Sequence, residues 1–211
     1  MTLLTLTGVG HVYDAGTPWE HRALSDVDLA VEAGEAIAVH GHNGSGKSTL
    51  FRIVTGVLRP TEGDARLDGR PLTDHRELVG ACLQQARLQL FGATVDDDLS
   101  LDPAVPPAAQ VSALQRVGLD PLVDGPRRVD ELSGGQQRLL AIAGALVRRP
   151  RLLVLDEPFA GIDPDNAERI LLALAHARDD GIATMVLTPD PDEAQASGRV
   201  VEIAAGRVVR P

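Results

Sequence analysis

The sequence predicts an α/β fold built on a mostly parallel sheet, and three observations carry that prediction. Apolar residues fill 44% of the 211 positions, yet only three phenylalanines, one tyrosine and one tryptophan are present. An interior of Ala, Val, Leu and Ile packed around backbone suits strands covered by helices on both faces. In the second half, short apolar runs alternate with segments of helical spacing, as successive strand and helix units do. Finally, a glycine-rich turn, Gly41-His42-Asn43-Gly44-Ser45-Gly46-Lys47-Ser48, lies between a β-prone run and a helix-spaced run.

Taken in order, residues 2–12 are rich in β-formers and residues 26–31 alternate polar with apolar, so both read as strands with one solvated face, separated by a turn at 14–20. Residues 35–40 form the strand entering the glycine-rich turn, and 49–55 the helix leaving it. Positions 59–63 are punctuation, and 64–68 and 78–83 read as short strands. A Pro/Ala-rich stretch at 102–109 opens a helix over about 108–117, which Asp124-Gly125-Pro126 closes off. Residues 132–147 have helical spacing and begin at a Ser-Gly-Gly. Residues 152–155 are wholly apolar, hence a buried strand, and run into Asp156-Glu157-Pro158. A helix over 164–178, a strand over 184–188, a short helix near 192–196 and a β-prone tail over 200–209 complete the chain.

Charge and composition exclude several functions. Thirty acids against twenty bases give a net charge of −10 with no basic run, so nucleic acid and anionic lipid are poor partners. The single cysteine, Cys82, allows no internal disulfide and no cysteine cluster for zinc, as expected of a reducing compartment. It reads as a small buried hydrophobe rather than a reactive thiol. No stretch approaches the length of a membrane span and the N-terminus lacks a signal-peptide pattern, so the expectation is a soluble cytoplasmic chain.

Nineteen of the twenty basic residues are arginine, and the one lysine is Lys47. It stands in a full match to GxxxxGK[ST], followed by Thr49; chance produces such a match in roughly one chain in a thousand. The residue types explain the chemistry. Glycines let backbone N–H groups turn inward and phosphate oxygens approach closely, while a helix N-terminus adds partial positive charge. Lys47 can reach the β- and γ-phosphates, and the Ser48 hydroxyl can ligate Mg²⁺. A second Mg²⁺ anchor is expected at the carboxyl end of a parallel strand. Asp156 and Glu157 stand there, the first to hold the ion and the second to orient water.

Leu132-Ser133-Gly134-Gly135-Gln136 lies 23 residues ahead of Asp156. With that signature and spacing, the chain resembles the ATP-binding-cassette (ABC) ATPases over nearly its whole length. The resemblance implies a P-loop NTPase core with an antiparallel β subdomain and a helical subdomain at about 84–147, residues 1–211 forming a single nucleotide-binding domain. It further implies that Tyr13 stacks on adenine, that Gln84 reaches the metal and catalytic centre, and that Asp163 belongs to a loop facing a second ATPase subunit. Two such units would sandwich two ATPs, with Ser133, Gly134, Gly135 and Gln136 serving the partner's nucleotide. The helix they open wants an anion.

Residues 84–98, QQARLQLFGATVDDD, are similar to a stretch in the ATPases of energy-coupling-factor transporters, which import vitamins or cobalt and nickel ions; the Asn-Pro of that stretch is replaced by Gln85-Ala86. That resemblance implies an integral membrane subunit as partner and a peripheral position on the inner face of the cell membrane. Leu90, Phe91 and Val95 either line a groove for a membrane protein's helix or pack the helical subdomain. Trp19 either flanks the adenine with Tyr13 or packs on the β subdomain.

One position departs from the family. Where its switch histidine is expected the chain reads Leu187-Thr188-Pro189-Asp190, and proline offers neither a side-chain donor nor a backbone N–H. His42 occupies a variable loop position and His40 ends a strand, so neither reads as a substitute. Arg138 and Leu139 likewise replace the family's usual Gln-Arg order. The expectation is normal Mg-ATP binding with slow hydrolysis at this chain's own site, or a regulatory or non-transport ATPase with little turnover.

Overall fold

Two sheets divide the strands according to how their residues alternate. The computed structural model describes residues 1–121 and 123–210; the single-domain reading of 1–211 also takes in residues 122 and 211, which lie outside that description. In chain order the strands are β1 (Thr2–Tyr13), β2 (His21–Glu32), β3 (Ala36–His40), β4 (Glu62–Leu67), β5 (Arg70–Pro71), β6 (Val79–Cys82), β7 (Leu152–Asp156), β8 (Ala183–Thr188), β9 (Arg199–Ala204) and β10 (Arg207–Arg210). The helices are α1 (Lys47–Val54), α2 (Val95–Leu99), α3 (Pro107–Arg116), α4 (Gly134–Leu146), α5 (Pro164–Asp179) and α6 (Pro191–Ser197).

The half-polar strands form an antiparallel sheet in the order β2-β1-β4-β5. β2 begins five residues ahead of the expected 26–31, because His21, Arg22 and Leu24 pair with Tyr13, Val12 and His11. A bulge hides this in the sequence: Asp26 has φ 53° and breaks the alternation. The apolar strands form the second sheet, ordered β10-β9-β3-β8-β7-β6. Its members are parallel except β10, which folds back on β9. The β-prone tail is therefore a hairpin, turning at Ala205 and Gly206 with φ 47° and 73°.

The parallel sheet is covered on both faces. Leu152 and Val154 of β7 join one apolar cluster with Leu50 and Ile53 of α1 and the inner face of the antiparallel sheet. Leu153 and Leu155 join the other with α4 and α5. This is why 152–155 reads as an unbroken apolar run. Register then places the site: His40 at the end of β3 lies opposite Thr188 of β8, and Leu187 opposite Asp156 of β7. Three loops consequently leave the same edge.

The helical segment contains an element not anticipated, α2. Thr94 accepts from the Asp97 amide while the Asp97 carboxylate accepts from the Thr94 amide, a capping box that starts a helix of five residues. Of the two readings of these residues, packing of the helical subdomain holds for Leu90 and Val95. Leu90 and Val95 are buried, and only Phe91, 76% exposed, offers a surface. Trp19 is 80% exposed, so it does not pack on the β subdomain. Cys82 is buried, its Sγ 3.7 Å from the Ala141 carbonyl, and burial pushes its thiol up to about 12.

Candidate functional site

The loop after β3 owes its path to glycines at two crowded points. A Cβ on Gly41 would stand 2.3 Å from the Ile203 carbonyl oxygen, and one on Gly46 would stand 2.8 Å from Leu24 Cδ2, where φ is also +109°. Gly46 is the N-cap of α1 and no side chain caps that helix, so its first-turn amides, which have no intrahelical partners, face whatever enters the loop. The Gly41 amide donates to the Thr188 carbonyl at 3.3 Å and the Gly206 amide to the Ser45 carbonyl at 2.9 Å. The loop is thereby braced by β8 and by the β9–β10 turn. Ser45 is fully buried beneath it.

Lys47 folds back over the loop, its Nζ donating to the carbonyls of Gly41 at 2.6 Å and His42 at 3.1 Å. Burial pushes its ammonium below the usual lysine range, partly opposed by Glu157 and Asp156. The same burial raises the Asp156 carboxyl, and the neighbouring Glu157 charge raises it further, against Lys47, Arg138 and Arg52. Lys47 and Asp156 are thus held at a depth where each charge is costly to leave alone.

Glu157 is fixed at three points. Its amide donates to the Leu187 carbonyl at 2.8 Å, its carboxylate accepts from Gln84 Nε2 at 2.7 Å, and its carbonyl accepts from Arg138 Nη1 at 3.1 Å. The backbone there has φ 45°, a left-handed conformation that a non-glycine residue holds only when its surroundings enforce it.

A cleft of about 360 Å³ gathers Tyr13, Asn43, Gly44, Gly46, Lys47, Ser48, Thr49, Gln84 and Glu157, all expected from sequence, together with His21 and Ala23. The last two were not foreseen, and only the β1–β2 register, which sets His21 opposite Tyr13, could have indicated them. The Tyr13 ring meets His11 edge to face at 4.5 Å, and its hydroxyl lies 3.4 Å from Thr49 Oγ1. Among the described residues no cluster of three His, Cys, Asp or Glu could hold a metal. The donors present, the Ser48 hydroxyl, Asp156 and the Gln84 amide, suit an ion that takes its remaining ligands from phosphates and water, as Mg²⁺ does.

Ser133 to Gln136 do not line this cleft. Ser133 caps α4 by accepting from the Gln136 amide at 3.2 Å, and the Gln136 side chain returns the bond to the Ser133 amide at 3.1 Å. Gly134 has nothing within 4 Å of an added Cβ, whereas a Cβ on Gly135 would stand 2.5 Å from Asn166 Nδ2. Asn166 in turn donates to Asp163, the N-cap of α5, at 2.7 Å. The Ser133 and Asp163 segments therefore form one surface, apart from the loop around Lys47. His40 ends β3 and His42 Nδ1 lies 2.7 Å from the adjacent Asn43 carbonyl oxygen.

Comparison with known proteins returns the same pattern. A family model described as "ABC transporter" matches residues 24–160. The energy-coupling factor transporter ATP-binding protein EcfA2 of Symbiobacterium thermophilum is 39% identical over 220 residues, covering 97% of this chain and 76% of that one. An uncharacterized ABC transporter ATP-binding protein of Mycobacterium tuberculosis is 45% identical over 193 residues, 89% of this chain, but the chain spans only 27% of that relative's length. Among solved structures, the ATP-binding cassette MJ0796, in a dimeric post-hydrolysis state bound to ADP and Pi, matches with a TM-score of 0.86 at 28% identity, covering 99% of this chain and 97% of that one.

Proposed function

The chain belongs to the ABC transporter family of ATP-binding proteins, and on that premise we propose that it binds Mg-ATP around Lys47 and hydrolyses it as one of two cassettes energising an importer of the energy-coupling-factor type. The observation that carries this reading is a separation. The phosphate loop, Gln84 and Glu157 share one cleft, whereas the Ser133 end of α4, another anion-seeking helix terminus, lies outside it. Each triphosphate then needs a second protomer to supply that end, an arrangement supported by the dimeric state of the MJ0796 cassette.

Within the cleft the residues divide the work. The amides of the loop and first turn of α1 hold the phosphates, Lys47 turns from its carbonyls to the β- and γ-oxygens, and Tyr13 takes the adenine. Ser48, Asp156 and Gln84 hold Mg²⁺, which supplies the charge that steadies the transferring phosphoryl group. Glu157 Oε2 is occupied by Gln84, leaving Oε1 to orient the attacking water and take its proton. Asp163 and Ser133 to Gln136 face the second cassette, a copy of this chain or a related subunit.

The membrane partner is an integral transporter subunit, and the solute a vitamin or a transition-metal ion. Support comes from the 84–98 stretch and the likeness to EcfA2. Among the described residues no helix is long and apolar enough to cross a membrane; the likeness to EcfA2 supports a peripheral place on the inner, cytoplasmic face. An acidic surface argues against a nucleic-acid partner.

Pro189 favours a second reading, a regulatory or non-transport ATPase that binds ATP with little turnover. Thr188 Oγ1 pairs with Glu193 and Asp190 caps α6 through the amides of Asp192 and Glu193; Pro189 between them is exposed and has no donor for a γ-phosphate. Titration calorimetry should show Mg-ATP binding, and Pro189→His should speed phosphate release about 10²-fold, since one charge-stabilising contact is worth on the order of 3 kcal/mol. Equal and fast release by both chains overturns the slow-site reading. Copurification of an integral membrane protein from detergent supports the importer, and its absence favours the second reading.

A further inference from the structure

The structure assigns Arg138 a positioning role: it pins the main chain of Glu157 to the helix that carries the Ser133 end. The inference deepens the reading above and rests on it. Arg138 belongs to α4 and is only 6% exposed. An arginine buried to this degree is rare unless its charge is used. Its Nη1 donates to the Glu157 carbonyl at 3.1 Å, while its Nε is buried with no hydrogen-bond partner among the described residues. Burial lowers its pKa, and Cys82, Asp156 and Glu157 nearby oppose that shift.

Glu157 needs such a hold. Its left-handed backbone, φ 45°, costs about 1 kcal/mol or more and persists only where the surroundings over-determine it. The Leu187 carbonyl holds the amide before this turn, and Gln84 holds the carboxylate. The carbonyl after it accepts from Arg138 and from the Ala160 amide at 3.2 Å. Without Arg138, only the short loop to Ala160 maintains the exit of the turn, and the carboxylate loses its fixed aim. Ser133 and Arg138 lie on one capped helix, so the element offered to a second cassette's triphosphate is bonded directly to this chain's own water-orienting residue.

Arg138→Met keeps the bulk and removes the donor; Arg138→Lys restores one. In the full chain, amides 159–162 of the Met variant should exchange hydrogen about tenfold faster, while β8 amides remain as in the parent. Mg-ATP affinity should stay within about threefold, kcat should fall about tenfold or more at unchanged KM, and Lys should recover part of both losses. A Met variant matching the parent in exchange and kcat overturns the role, as does a folded Lys variant that recovers nothing. Should the Met variant not fold, Arg138→Leu, which also lacks a donor, takes its place under the same criteria. If the parent fails to bind Mg-ATP, the proposed function falls, whereas the exchange comparison still decides Arg138.

Discussion

The side-chain amide of Gln84 donates a 2.7 Å hydrogen bond to the Glu157 carboxylate, joining the loops after β6 and β7 across 73 positions of sequence. The two strands are parallel neighbours, so their carboxyl ends, and the loops that follow, emerge side by side. A residue in the loop beside the helical segment is thereby bonded to the acid proposed above to orient water.

Glu157→Gln keeps the shape of the side chain and removes its basicity. Mg-ATP binding should persist while phosphate release drops about 10²-fold or more, the usual worth of a general base. Gln84→Ala frees the carboxylate without removing it, and a smaller loss of about tenfold is expected in the same single-turnover assay.

Asp156 is the site of a trade between stability and binding. Its carboxyl is raised by burial and by Glu157, so the folded chain holds a proton that the unfolded chain releases as pH rises above the ordinary aspartate range. Stability without nucleotide therefore falls across that window. Asp156→Asn should raise the nucleotide-free melting temperature at neutral pH. It should also abolish the Mg-ATP shift, about 2.7 kcal/mol at a hundredfold excess over Kd in the parent. A lower melting temperature without nucleotide contradicts the sign.

Two glycines of the loop should respond differently to alanine. At Gly41 the new Cβ meets the Ile203 carbonyl at 2.3 Å and Ser45 Oγ at 2.6 Å, so urea denaturation should show a loss of about 1–3 kcal/mol from overpacking. At Gly44 nothing lies within 4 Å and only φ +81° is strained, for which about 1 kcal/mol is expected.

Ser133→Ala removes the α4 cap and should cost about 1 kcal/mol, a drop in Tm of about 2–4 °C for a chain of this size. Because Ser133 lies outside the cleft, Mg-ATP affinity of the isolated chain should not change in calorimetry. Loss of affinity would place Ser133 against its own chain's nucleotide.

Legibility in the sequence followed the range of the interactions. The glycine-rich loop was readable because its requirements are local: a strand, a left-handed turn at Gly46 and an uncapped helix. The α4 start was readable for the same reason, as Ser133 and Gln136 satisfy each other three residues apart. α2 escaped because five residues are too few to show a period, although Thr94 and Asp97 carried the capping signal. The early start of β2 escaped because the bulge at Asp26 broke the alternation.

The sequence by itself determined the two-sided burial of the parallel strands, the phosphate loop around Lys47 and the acid pair at the end of β7. Only the tertiary structure decided that β8 lies between β3 and β7, that Gln84 rather than another polar group meets Glu157, and that Arg138 is buried beneath it. The reason is physical. Periodicity and capping act over one or two turns of chain, whereas the choice among polar partners is made by sheet order and by the cost of burying any group left unpaired.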